Sequence, residues 1–397
     1  MFESVALAPP DPILGITEAF NRDQRTTKIN LSVGVYKDAS GQTPVLPSVK
    51  EAEQRLLAAE KTKGYKPIDG DPVYGRAVRE LLFGKDSPLV AAGGRAATCH
   101  TPGGTGGLRL AADFLATKAG ARRIWMSDPT WENHHAIFRA AGFEVEKYGY
   151  YSAASHGLDF PALKQSLDQV NAGDVVLLHA CCHNPTGVDP TPAQWREIAD
   201  LLSAKRALPL VDFAYQGFGV GLEEDAESVR ILEQSFEELL VCSSFSKNFG
   251  LYNERTGALT IKATTPEACA ASLSQLKICA RVNYSNPPAH GGAIVSAILT
   301  DPALRKQWES EVQDMRARIQ SMRDAFVSGL AEAGTQQDFS FISRQKGMFS
   351  FSGLSKEQVE RLKTEFGVYI VGSGRLNVAG MTESNMAALC KAVVSVL

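Results

Sequence analysis

The chain has 397 residues, 44% hydrophobic and 21% charged, with a net charge of −3. That length allows two or three domains around a sizeable core, and the near-balanced charge offers no global field for nucleic acid or an anionic membrane. No run approaches the ~18 apolar residues of a membrane span and the first residues lack a basic, apolar leader, so a cytoplasmic protein acting on a small molecule is expected.

Residues 1–12 carry Pro9, Pro10 and Pro12 and read as an extended arm that needs another surface to order it, a neighbouring subunit being one. Ile29 to Tyr36 alternates as a strand does, and Gly34 within it marks a bulge or a close approach by backbone or ligand. Ser48 with Glu51 has the spacing of a capping box, ahead of a helix on Val49, Ala52 and Leu56. A loop follows at Gly64-Tyr65-Lys66-Pro67. Thr101-Pro102-Gly103-Gly104-Thr105-Gly106-Gly107 then opens a helix on Leu108, Ala111, Ala112 and Leu115. Free N–H groups and the positive dipole end make that opening an anion site. It is neither the dinucleotide fingerprint, whose third glycine would fall on Arg109, nor a Walker loop.

Arg123–Met126 reads as a short strand leading to Trp131, His134 and His135. Val175–Ala180 is an apolar strand that stops at Cys181-Cys182-His183-Asn184-Pro185-Thr186-Gly187, before a helix on Trp195, Ile198, Ala199 and Leu202. Leu208–Val211 ends in Asp212-Phe213-Ala214-Tyr215, and Leu239–Cys242 runs into Ser244, Ser246, Lys247 and Arg255. Four apolar strands separated by helix-length segments predict a doubly wound, mostly parallel sheet with its polar strand ends along one edge. A helix of ~33 residues follows from Asp301-Pro302 to Gly334. The remainder reads as a compact unit: strands at Phe339–Ile342 and Met348–Phe351 around Gly347, a helix capped by Ser355 with Gln358 and ended by Gly367, a strand through Arg375–Val378, and a last helix on Met386, Leu389 and Val393.

The seven cysteines are odd in number and scattered, and the vicinal pair Cys181-Cys182 matches no metal spacing. Reduced thiols and no metal are expected.

Lys247, at the end of a buried strand, is placed to have its ammonium pKa lowered, which frees an amine nucleophile or proton carrier. Ser244, Ser246 and Arg255 supply hydroxyls and a planar fork suited to phosphate. A carbonyl-attacking lysine, two anion-binding elements, a carboxylate, a phenol, an amide and an indole face together meet the needs of pyridoxal 5′-phosphate.

Five motifs in order, Gly103–Gly106, His183–Gly187, Asp212–Phe218, Ser244–Arg255 and Ser285–Pro288, resemble those of the class I, aspartate-type aminotransferases of fold type I, across essentially the whole chain. The resemblance implies a large cofactor-binding domain over 46–313 and a smaller α+β domain from 13–45 and 314–397. It implies Lys247 as the lysine that forms a Schiff base with the cofactor, Asp212 against the pyridine nitrogen, Tyr215 and Asn184 on the phenolate oxygen, and Trp131 stacked on the ring. Gly104, Thr105, Ser244, Ser246 and Arg255 would hold the phosphate, with Tyr65 reaching over from a partner subunit of a homodimer. His134 and His179 read equally as groups behind Asp212 or as satisfied core histidines. Gly103 departs from the serine of many relatives, a loss the site is expected to survive.

On the substrate side the resemblance implies Arg375 on the α-carboxylate, Gly34 closing over it, and Arg281 crossing from the partner to a distal carboxylate. Amino transfer from L-aspartate to 2-oxoglutarate is therefore expected. An aromatic-amino-acid aminotransferase is the alternative, since such relatives keep this arginine. Another pyridoxal phosphate chemistry, or a non-catalytic binding protein on the same fold, completes the set.

Overall fold

A computed structural model describes residues 1–8 and 14–397. The chain divides into two compact units, Pro44–Ala317 and a second built from Met1–Thr43 with Arg318–Leu397. Helix Pro302–Glu332, 31 residues long, supplies residues to both. Among the described residues no helix is long and apolar enough to cross a membrane. All seven cysteines are buried and free.

Pro44–Ala317 is organised on a seven-stranded sheet. Its strands are β1 (Ala96–Pro102), β2 (Arg123–Asp128), β3 (Glu144–Gly149), β4 (Val175–His179), β5 (Leu208–Phe213), β6 (Leu239–Ser244) and β7 (Thr256–Lys262), in the order β1-β7-β6-β5-β4-β2-β3. Strand β7 runs antiparallel to both neighbours, and the other pairings are parallel. The four strands legible as apolar runs are β2, β4, β5 and β6. The others hide for physical reasons. β1 and β7 are built from small residues and threonine, and β3 is an edge strand that turns Glu144, Glu146 and Lys147 to solvent.

Helices α1 (Pro72–Phe83), α2 (Gly103–Thr117), α3 (Pro192–Lys205) and α4 (Pro266–Asn283) belong to this unit. Asp71 caps α1, and Thr191 with Gln194 forms a capping box on α3. Leu108, Leu110, Ala111, Ala112 and Leu115 of α2 pack with Leu177, Leu210, Leu240 and Leu259 of the sheet in the main core. Sheet register sets His179 opposite Asp212, Asp212 opposite Cys242, Ser244 opposite Gly257, and Thr256 opposite Pro102. One edge of the sheet thus collects the polar strand ends.

The expected capping box at Ser48 is absent. Helix Pro47–Ala59 starts two residues earlier than a Ser48 cap would set it, with proline in its first turn, and Ser48 is buried with its amide and hydroxyl donating to Glu311 at 3.0 and 2.5 Å. A carboxylate from another helix has taken the role expected of Glu51.

In the second unit, Ile29–Asn30 pairs in parallel with Val368–Tyr369, and Phe349–Phe351 pairs antiparallel with Arg375–Asn377. The expected strand Ile29–Tyr36 is therefore short. Beyond Asn30 its carbonyls turn to side chains: Arg375 Nη2 donates to Ser32 O, and Asn377 Nδ2 to Val33 O and Val35 O, each at 2.7 Å. Phe339–Ile342 is not a strand either; Phe341–Arg344 forms a helical turn with Phe341 and Ile342 buried. Ser355 and Gln358 form their capping box, and Gly367 ends that helix at φ 68°. At the N-terminus Phe2–Ser4 is a 3-10 turn and residues 1–8 are exposed, while Pro9, Pro10 and Pro12 lie outside the described residues.

Candidate active site

After β6 the chain enters a loop that is held on both sides of Lys247. Phe249 stacks on Trp308 at 4.4 Å between ring centroids and meets Phe245 edge-on at 5.5 Å. Buried Asn248 accepts at its carbonyl from Trp308 Nε1 (2.7 Å) and donates its amide to Gln216 O (3.1 Å). Lys247 is half-buried, with Nζ 4.8 Å from the centre of the buried Tyr215 ring. Desolvation lowers its pKa from 10.5 to about 8; Asp212 opposes that shift and Arg255 adds to it.

Asp212 heads a line of hydrogen bonds. Asp212 Oδ2 accepts from His134 Nε2 at 3.0 Å, His134 Nδ1 meets Thr130 Oγ1 at 2.9 Å, and Thr130 Oγ1 meets His179 Nε2 at 3.1 Å. His179 Nδ1 accepts from the Asn184 amide at 3.4 Å. A backbone N–H can only donate, so the line runs in one direction: Asn184 to His179, His179 to Thr130, Thr130 to His134, His134 to Asp212. Burial pushes His179 down to about 3, which keeps it neutral as that direction requires. Burial alone would raise the Asp212 carboxyl, but the hydrogen bond donated by His134 and the nearby Lys247 amine hold it below the ordinary carboxylate value. Asp212 is an anion with its geometry set from behind.

The other end of the cluster contains donors. Helix α2 begins at Gly103 with no side-chain cap, leaving its first N–H groups to an outside acceptor. A Cβ on Gly104 would lie 3.1 Å from Ser244 Cβ, which measures how closely the helix start approaches β6. Ser244 and Ser246 are buried, and Arg255 Nη1 donates to Ser246 Oγ at 3.4 Å. Gly103 has φ 70°, and a Cβ there would strike the Arg255 guanidinium. A serine at this position would need the Arg255 side chain to shift, on top of the strain of a positive φ.

Trp131, half-buried, meets His134 edge-on at 5.1 Å, and Asn184 is buried at the end of β4. Lys247, Asp212, Tyr215, Asn184, Trp131, Gly104, Thr105, Ser244, Ser246 and Arg255 thus belong to one edge of one sheet. Tyr65 is 95% exposed and Arg281 is exposed on α4, bonded to Ser285; neither bonds to that cluster. Asn286 Nδ2 donates to Lys66 O at 2.7 Å, so these two segments are tied together. In the second unit Arg375 is buried with its guanidinium 4.3 Å from the Phe349 ring centre, and a Cβ on Gly34 would lie 2.6 Å from the same ring. Phe349 is thus one neighbour that requires a glycine at position 34.

Several residues escape a reading of strand ends. Thr130 joins the two histidines, and its spacing of four from His134 was the available signal. Trp308 and Asn248 brace the lysine loop from far along the chain, with no local mark. Cys181, Cys182 and Asp225 have ligand-type atoms within 4.8 Å of one another, but Asp225 is occupied by the N–H groups of Gly217, Gly219 and Val220.

Comparison with known proteins gives the same picture at the level of family. Residues 26–393 match the model of aminotransferase class I and II. The Escherichia coli (strain K12) protein named aspartate aminotransferase is 59% identical over 397 residues, all of both chains. An aromatic-amino-acid aminotransferase of Pseudomonas aeruginosa is 49% identical over 395 residues, covering 100% of this chain and 98% of that one. The crystal structure of an aromatic-amino-acid aminotransferase from Burkholderia pseudomallei, covalently bound to pyridoxal phosphate, superposes with a TM-score of 0.97 at 49% identity, covering 100% of this chain and 99% of that one. With a lysine, a braced carboxylate and an anion-binding helix start on one sheet edge and full-length relatives at these identities, the chain belongs to the class I and II aminotransferases.

Proposed function

We propose that this protein is a pyridoxal-phosphate-dependent aminotransferase that moves the amino group of L-aspartate to 2-oxoglutarate, giving oxaloacetate and L-glutamate. The observation that carries the reading is the charge layout around Lys247: an amine with its pKa near 8, a carboxylate anion braced by His134, and a donor-rich end. That donor set fits the cofactor. The start of α2 at Gly104 and Thr105, the hydroxyls of Ser244 and Ser246, and Arg255 suit a phosphate; the Asp212 anion suits a protonated ring nitrogen; Asn184 and Tyr215 suit the phenolate oxygen, and Trp131 the ring face. When bound, pyridoxal phosphate supplies an aldehyde carbon that takes up an amine and a cationic ring that accepts the electron pair released at the substrate Cα.

The protein's own residues do the rest. Lys247 Nζ, whose lowered pKa makes the neutral amine far more accessible than that of an ordinary lysine, would carry the proton between the substrate Cα and the cofactor. Asp212, ionised and held by His134, keeps the ring nitrogen protonated, and the single direction of the Asn184-to-Asp212 line keeps that anion fixed. Tyr215, beside Nζ, orients the amine. Arg375 is assigned to the α-carboxylate, where a bidentate fork fixes Cα, with Gly34 contributing backbone at that end.

Homodimeric assembly is part of the proposal. Tyr65 and Arg281 are exposed and tied together through Lys66 and Asn286, which suits two residues that serve a second subunit's site. Arg281 would then meet a distal carboxylate. Free buried cysteines suit a cytoplasmic setting. Division of the chain near residues 45 and 314 into a cofactor-binding and a smaller domain belongs to the same reading.

The test is transamination by the reconstituted protein with 2-oxoglutarate as acceptor, comparing kcat/KM for L-aspartate and L-phenylalanine. A clear preference for aspartate supports the proposal. Comparable values move the protein to the aromatic branch, for which the full-length match at 49% identity is the specific observation, and no transfer from either overturns the assignment.

A further inference from the structure

A second, unrelated feature lies at the opposite end of β1. A pocket of about 390 Å³ opens between α1, the start of β1 and α4, lined among others by Asp69, Asp71, Arg79, Val90, Ala96 and Leu273. It shares no residue with the Lys247 cluster. β1 contributes its N-terminal residues here, whereas Pro102 at its other end leads into Gly103.

Arg79 is the anomaly in it. The side chain is 8% exposed, and its guanidinium donates once, from Nη2 to Val90 O at 3.2 Å. Nε is buried with no acceptor, and among the described residues Arg79 makes no ion pair. The acids near it already have cations: Glu80 pairs with Arg76 at 3.7 Å, Asp69 with Lys277 at 3.0 Å, and Asp71 with Lys66 at 3.2 Å. Burial works against the charge and lowers the Arg79 pKa from its ordinary value. Proteins rarely leave a buried cation with most of its donors free, and such a group calls for an absent partner.

We propose that this pocket binds a small organic monocarboxylate, its carboxylate on the Arg79 fork and its apolar tail against Val90, Ala96 and Leu273. A planar guanidinium with free donors matches a carboxylate in geometry and charge. The apolar wall rewards a hydrocarbon tail, and the volume is within the range of small-ligand sites. Inorganic phosphate has no tail to lay against that wall and should bind less well than the monocarboxylate.

The test uses the cofactor-loaded protein and hydrogen exchange read by mass spectrometry over residues 72–98. Sodium butanoate at ten times its dissociation constant should slow exchange in that segment about tenfold relative to sodium chloride at equal ionic strength. Arg79→Met should abolish the effect, and Arg109→Gln, on another helix face, should retain it. No protection by butanoate, equal protection in Arg79→Met, or equal protection by inorganic phosphate each overturns the proposal. A measurement independent of any variant is a crystal of the wild-type protein soaked in 3-bromopropanoate. An anomalous bromine peak in the pocket with the carboxylate on Arg79 supports the site; an empty pocket, or a peak there without solution protection (an adventitious additive only), sinks it.

Discussion

At Lys247 the desolvation that lowers the amine pKa outweighs the pull of Asp212 toward the charged form. In the cofactor-free protein, labelling of Lys247 by an amine-selective acylating reagent should therefore rise with pH about a midpoint near 8, read by peptide mapping, rather than near the ordinary 10.5. The sign for stability follows. A lysine whose folded pKa lies below its unfolded one binds fewer protons in the fold, so wild type should gain stability relative to Lys247→Met as pH rises from about 8 to 10.5. Asp212 has the same sign in acid: its depressed carboxyl contributes stability above the ordinary value of 3.8, lost as pH falls through the lower folded value. Turnover is more demanding. Lys247→Ala should lose at least roughly 10⁴-fold in kcat with an unchanged circular dichroism spectrum, and Asp212→Asn about 10²–10³-fold; wild-type-like turnover in either would remove that residue from the mechanism.

Elements hold these residues in place, and two substitutions probe that. Trp308→Phe keeps the ring against Phe249 but deletes the bond to Asn248 O, which leaves a buried carbonyl without that donor. A loss of about 1–2 kcal/mol in a urea melt is expected, together with a lower kcat. Gly103→Ser must adopt φ 70° and displace Arg255, so cofactor affinity should fall, by roughly tenfold or more in equilibrium dialysis, although a hydroxyl has been added. Four of the sheet's strands were legible because apolar, β-branched runs ended in polar residues. β1, β3 and β7 were not, because their composition is small, charged or threonine-rich and only pairing makes them strands. Ser48 and Ile29–Tyr36 failed for one reason: a distant side chain, Glu311 in one case and Arg375 with Asn377 in the other, satisfied backbone or hydroxyl groups that local rules had assigned to neighbours.

On the scale of the whole molecule the proposal of a shared site has a direct check. Lys247→Ala and Arg281→Ala chains, each inactive toward aspartate, are unfolded and refolded together. Half the dimers should then be mixed, each with one intact site, which gives about a quarter of wild-type activity; no recovery would mean that Arg281 serves its own chain's site. Much of the chemistry was determined by sequence alone. A lysine, an aspartate, an asparagine and a glycine-rich helix start each follow a buried strand or open a helix, and parallel strands bring such ends to one edge. What only the tertiary structure decided is how those groups are tuned and held. The one-way line from Asn184 to Asp212, the brace of Trp308 on the Lys247 loop and the approach of Arg255 to Gly103 all join residues far apart in the chain. Periodicity and caps report interactions within a few residues, whereas burial, field and hydrogen-bond direction arise from neighbours that only folding supplies.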